Sequence, residues 1–111
     1  MNNRLWSTVA SILVVAAFNT ATAGDVEILA ADFQLGSKDT WSVSVTLQHG
    51  DTGWDHYADN WRVVDAEGRV FGDRVLYHPH VDEQPFTRGL GGIVIPEGTE
   101  RVFIEAHDTV H

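Results

Sequence analysis

The stretch Trp41-Ser42-Val43-Ser44-Val45-Thr46-Leu47-Gln48 decides the fold. Apolar side chains at 41, 43, 45 and 47 alternate with polar ones at 42, 44, 46 and 48. A period of two places one set on each face of an extended chain, so the stretch reads as a half-buried β-strand. The segment 101–108 alternates in the same way, with Val102, Ile104 and Ala106 on one side. No convincing helical stripe interrupts the pattern. Working outward, strands are expected at 26–35, 41–48, 60–65, 69–77, 86–95 and 101–108. The breaks are turn chemistry: Gly36-Ser37-Lys38-Asp39, Ala66-Glu67-Gly68 with Gly at the position needing positive φ, and Pro96-Glu97-Gly98-Thr99. Short strands at this spacing imply an all-β sandwich of about six to seven strands. The order of signals is similar to an immunoglobulin-like or fibronectin-III-like domain, with Trp61 as the expected core tryptophan near the third strand.

The first 23 residues read differently. Arg4 supplies a positive start, residues 9–18 an apolar run of ten, and Ala21-Thr22-Ala23 an A-x-A cleavage signal. The run is too short for a transmembrane helix, which needs about 20 apolar residues. Residues 1–23 are therefore expected to be a secretory signal peptide and 24–111 one exported domain, periplasmic or secreted, with no stable membrane span after cleavage. No Cys follows Ala23, so no lipid anchor is expected.

Composition narrows the chemistry. The chain has 111 residues, 16 Asp+Glu against 7 Lys+Arg, six His and no Cys. The net charge of −9 becomes −10 once Arg4 is removed. A face so acidic does not suit nucleic acid, whose phosphates need basic partners. Without Cys there is neither a disulfide nor a thiolate site, and the only Met is the first residue. That disfavours carriage of Cu(I), excludes a blue-copper centre and leaves imidazole and carboxylate.

In the expected topology the connections after the second, fourth and sixth strands share one pole. Those connections carry all six histidines: His49 and His56, His78 and His80, His107 and His111. Asp51, Asp55, Asp59, Asp82, Glu83 and Asp108 accompany them. Loops gathered at one end of a rigid sandwich are where binding sites usually sit. Imidazole with carboxylate suits Zn²⁺, Cu²⁺ or Ni²⁺. The expected metal ligands are His78 and His80, with His107 or His111, and Asp82 or Glu83 as oxygen donor. His49 and His56 read instead as residues that fix loop shape. Trp54, Tyr57 and Arg88 form a second set, suited to a ligand through aromatic faces and a bidentate guanidinium. Trp54 and Tyr57 also have an ordinary packing role open to them.

Two blocks carry a resemblance. Asp51-Thr52-Gly53-Trp54-Asp55-His56-Tyr57-Ala58-Asp59-Asn60-Trp61-Arg62-Val63-Val64 and Leu76-Tyr77-His78-Pro79-His80-Val81-Asp82-Glu83-Gln84-Pro85-Phe86-Thr87-Arg88 resemble a family of small exported bacterial proteins of unknown function. Ala106-His107-Asp108-Thr109-Val110-His111 resembles its third block. The resemblance supplies no activity. It implies that the three histidine-bearing loops form the common feature, and that a Gly-containing turn and a final strand follow the position of His111. Here the sixth strand would lack that neighbour. Truncation ranks first as the reason, then cover by the strand at 26–35, and last a strand donated by a partner.

The reading favours an exported binding domain for a divalent transition metal, Zn²⁺ or Cu²⁺, without catalysis. The alternative is a metal-free module that recognises a protein or glycan through the same loops. An enzyme is disfavoured, because the chain has no G-x-S-x-G elbow, P-loop or H-E-x-x-H helix. Ser42 and Ser44 lie on a polar strand face, and nothing in the spacing of Asp82 and Glu83 demands acid–base work. A His-brace oxidase would need an N-terminal His where processing leaves Gly24, and an immunoglobulin-like superoxide reductase would need a Cys ligand.

Overall fold

A computed structural model describes residues 14–17 and 26–111. The described residues form a β-sandwich of seven strands: β1 (Val14–Ala17), β2 (Glu27–Leu35), β3 (Trp41–Gln48), β4 (Ala58–Val64), β5 (Val70–Val75), β6 (Phe86–Ile93) and β7 (Arg101–Asp108). One sheet runs β2-β3-β6 and the other β1-β7-β4-β5. All pairings among β2 to β7 are antiparallel. The expected strands appear with shifted ends, and β3 and β7 keep the expected bounds.

The alternation seen in the sequence is the physical basis of the core. Trp41, Val43, Val45 and Leu47 are buried from β3, and Val102 and Ile104 from β7. Trp61 and Val63 of β4 lie beside the β7 residues in the second sheet and face the β3 series, and Trp61 is fully buried as expected. The residues between them face out, so a one-residue slip would exchange the two sets and expose the core. Turn chemistry fixes that register. Gly68 takes φ of 86° in the β4–β5 hairpin. Asp65 Oδ1 accepts the backbone N–H groups of Glu67 and Arg69, closing the same turn.

The leader expectation falls largely outside the described residues. The backbone of Val14–Ala17 lies parallel along β7, Val14 opposite Arg101 and Ala17 opposite Ile104. The strand at 26–35 is β2, which pairs with β3 rather than β7. The neighbour on the β7 edge is therefore residues 14–17, not the expected first strand of the domain. Among the described residues no helix is long and apolar enough to cross a membrane.

The loops after β3, β5 and β7 meet at one end. Asp51 accepts the backbone N–H of His80, and Thr109 N–H donates to Tyr57 O. This is the pole to which the sequence assigns the histidines.

The core assignment has a direct mutational consequence. Leu47→Ala should cost about 2–5 kcal/mol, the usual range for a fully buried leucine. Ser42→Thr, on the outer face of the same strand, should stay within about 0.5 kcal/mol. Urea denaturation followed by Trp fluorescence checks both, and similar losses at the two positions would contradict the facing.

Candidate functional site

Two strands run their inward series one position further than their apolar residues. Along β3 the inward positions are 41, 43, 45 and 47, and the next is His49, whose side chain is 1% exposed. Along β7 they are 102, 104 and 106, and the next is Asp108, also 1% exposed. The pleat thus delivers an imidazole and a carboxylate to the end of the core. His49 Nε2 lies 2.9 Å from Asp108 Oδ2. His56, from the β3–β4 loop, brings its Nε2 to 3.1 Å from the same oxygen, and His111 its Nδ1 to 3.0 Å. His49 and His56 stack edge to face with ring centroids 4.7 Å apart, and the His56 and His111 rings are 5.2 Å apart.

Outside this inner group, hydrogen bonds fix every part. Asp51 Oδ1 sits 2.5 Å from His49 Nδ1 and accepts the Ala58 N–H at 3.1 Å, while its Oδ2 accepts the His80 N–H at 2.7 Å. His49 N–H donates to Gln84 Oε1, and Gln84 Nε2 donates to His80 O. Asp108 Oδ1 accepts the backbone N–H groups of Val110 and His111, which folds the chain back over the carboxylate. Burial pushes the Asp108 carboxyl up. The backbone N–H of His111, the His111 and His56 rings and the Val110 N–H outweigh it and hold the group far below the ordinary carboxylate range. Asp108 is therefore an anion despite its burial.

His49, His56 and Asp108 each offer one donor atom, and the three atoms lie within 4.8 Å of one another, close enough to share one metal ion. Among the described residues no second group of three His or acid donors is so close.

The residues expected from the sequence to hold a metal fall in three places. His111 is at the inner group, as its outermost member, 43% exposed. His107 faces outward, as its odd position on β7 requires, and pairs with Asp59 through Nδ1 at 2.6 Å on the outer sheet face. His78, His80, Asp82 and Glu83 line an open groove of about 560 Å³ together with Gly53, Trp54, Pro79 and Val81. Within it the His78 and His80 rings lie 4.5 Å apart, tilted by 37°, and His80 lies flat on Phe86 at 4.0 Å. Arg88 Nη2 donates to His80 Nε2 at 2.9 Å and also reaches Glu83 at 3.2 Å. A guanidinium only donates, so His80 Nε2 must accept and its proton sits on Nδ1, which is buried with no hydrogen-bond partner. With both nitrogens so committed, the ring has no lone pair free for a metal. Arg88 thus holds an imidazole and a carboxylate of its own chain. Trp54, by contrast, is 67% exposed and meets Tyr57 edge to face at 5.5 Å.

The sequence reads His49 and His56 as loop-fixing residues and Asp108 as one of several acids beside the histidines, without choosing it as a ligand. The signal that identifies two of them is the continuation of the inward series past Leu47 and Ala106. His56 carries no such signal, because it sits in a loop closed by the Thr52–His56 backbone contacts.

No family model and no solved structure matches the chain. A protein of Halomicrobium mukohataei named "Putative lipoprotein" is 47% identical over 68 residues, which are 61% of this chain and 33% of that protein. The match thus spans about a third of the relative's length.

The environment of His80 sets a pH dependence. Burial, then the Arg88 charge, then His78 lower its affinity for protons below the ordinary 6.5, against smaller opposing effects of Glu83 and Asp51. The unfolded chain then binds a proton that the fold refuses, so this residue's contribution to stability declines as pH drops below 6.5. His80→Phe, which keeps the stack on Phe86, should lose less stability than wild type between neutral pH and pH about 5, the interval straddling the histidine reference value. Urea midpoints in the presence of chelator measure the difference. Equal losses would contradict the assignment.

Proposed function

We propose that the domain is exported and that its inner group binds one divalent transition metal ion, Zn²⁺ or Cu²⁺. The observation that carries this reading is the convergence of His49 Nε2 and His56 Nε2 on the buried Asp108 Oδ2. Hydrogen bonding alone accounts poorly for it. A carboxylate oxygen has about two lone-pair directions, whereas three imidazole nitrogens crowd Asp108 Oδ2 at 2.9–3.1 Å. Ligand atoms around tetrahedral Zn²⁺ stand about 3.3 Å apart, given Zn–N and Zn–O bonds near 2.0 Å, and the two imidazole–carboxylate separations of 2.9 and 3.1 Å are close to that spacing.

The surroundings fit a metal ligand set as well. A ligating histidine commonly donates its second ring N–H to a carboxylate that orients it. Asp51 stands in that position at His49 Nδ1, and is itself held by two backbone N–H groups. Nitrogen and oxygen donors suit Zn²⁺ and Cu²⁺ better than Cu(I). The name of the Halomicrobium relative supports export, as does the leader-like start of the chain. The role proposed is holding a metal, with the His49 and Asp108 side chains sealed from solvent.

One observation favours the metal-free alternative, a module for a protein or glycan. The exposed Trp54 borders the groove beneath His78 and Glu83, an aromatic face beside polar groups. That surface is separate from the inner group, and the two readings divide cleanly by experiment.

Calorimetric titration of chelator-stripped protein with Zn²⁺ and Cu²⁺ should give one site per chain. Asp108→Asn and His56→Ala should each weaken it by more than about 100-fold, beyond the usual effect of an outer-sphere change. His78→Ala with His80→Gln should leave it within a few-fold. No saturable binding by wild type, or loss confined to the His78/His80 variant, would overturn the assignment.

A further inference from the structure

Resting on that metal reading, we propose that His111 is the fourth ligand and that the turn from Asp108 to His111 is a clasp closing the ion's solvent side. The three inner donors leave one tetrahedral position unfilled. The open side of the group is the side of His56, 23% exposed, because His49 and Asp108 are 1% exposed. His111 stands on that side. Its ring centroid is 5.2 Å from that of His56, and its Nδ1 lies 3.0 Å from Asp108 Oδ2, the liganding oxygen.

The local backbone explains how it gets there. Asp108 Oδ1 accepts the N–H groups of Val110 and His111, so the chain turns back on the carboxylate instead of leaving along β7. Oδ1 of Asp108 builds the turn and Oδ2 meets His49 and His56, while His111 Nδ1 straddles the two oxygens at 3.2 and 3.0 Å. His111 is the most exposed of the four side chains, which suits a ligand that swings in as the ion arrives. The completed set is three imidazole nitrogens and one carboxylate oxygen. Four protein donors leave no position for substrate or water, as in structural rather than catalytic zinc sites. The ion would then tie the loop after β3 to the end of β7 in a chain that has no Cys for a disulfide.

Cobalt reports the coordination number directly, because four-coordinate Co²⁺ absorbs visible light far more strongly than five- or six-coordinate Co²⁺. The full chain, stripped with chelator and reloaded with Co²⁺, should show intense tetrahedral bands. His111→Ala should still bind Co²⁺ but with weak bands, and its Zn²⁺ affinity should fall about 10–100-fold. Its thermal unfolding in chelator should stay cooperative, with a midpoint lowered only by the loss of one imidazole contact to Asp108, because the residue 111 N–H still bonds Oδ1; this separates loss of a ligand from loss of folding. An unchanged spectrum and affinity in His111→Ala would overturn the clasp and leave the three-donor site standing. Absence of Co²⁺ and Zn²⁺ binding in wild type would overturn both.

Discussion

The structure at the histidine pole depends on one constraint, a carboxylate buried at the end of a core strand. Asp108 continues the inward face of β7, so the pleat that buries Val102 and Ile104 also removes this charge from water. An uncompensated buried carboxylate would cost several kcal/mol. The surrounding chain is arranged to compensate it. His49 arrives from β3, His56 from the β3–β4 loop, and the last residues fold back to supply two N–H groups and a third imidazole. Asp51 then fixes His49 from behind and pulls the β5–β6 connection into place through His80 N–H. Three loops distant in sequence are thereby ordered around one oxygen.

The fold was legible because its signal is geometric. Alternation at 41–48 and 101–108, with turns where Gly and Pro sit, determines which residues face in, and Trp61 falls in the core as its position near the third strand implied. The candidate site was legible only in part. Gathering of the histidines at one pole follows from strand order. The choice among them does not, since loop conformation decides which rings converge. His78 and His80 look like a ligand pair by spacing, yet Arg88 donates to one ring and thereby sets its tautomer. His107 was named as a ligand although its parity on β7 points it outward, where it meets Asp59. The same parity rule, carried one step beyond Leu47 and Ala106, picks out His49 and Asp108. Polar residues at the end of an apolar series are easily dismissed as the start of a loop. Here they cap the core.

The acidity of the chain and its lack of Cys acquire a structural meaning in this light. Many acids of the pole are engaged by its own histidines, backbone N–H groups and arginines: Asp51, Asp59, Glu83 and Asp108 all have partners. A cation at Asp108 would join the loop after β3 to the end of β7, as a disulfide does in many small secreted domains. The groove beside Trp54 is joined to this network through the His80 backbone and through Gly53, whose carbonyl accepts the His56 N–H.

The most direct measurement is the metal content of the protein as the cell makes it. Wild type and Asp108→Asn would be purified without chelator from the cells that make them, and their metals counted by mass spectrometry. One Zn or Cu ion per wild-type chain and none in the variant is the predicted result. A metal-free wild type, or a variant that keeps its ion, would contradict the account.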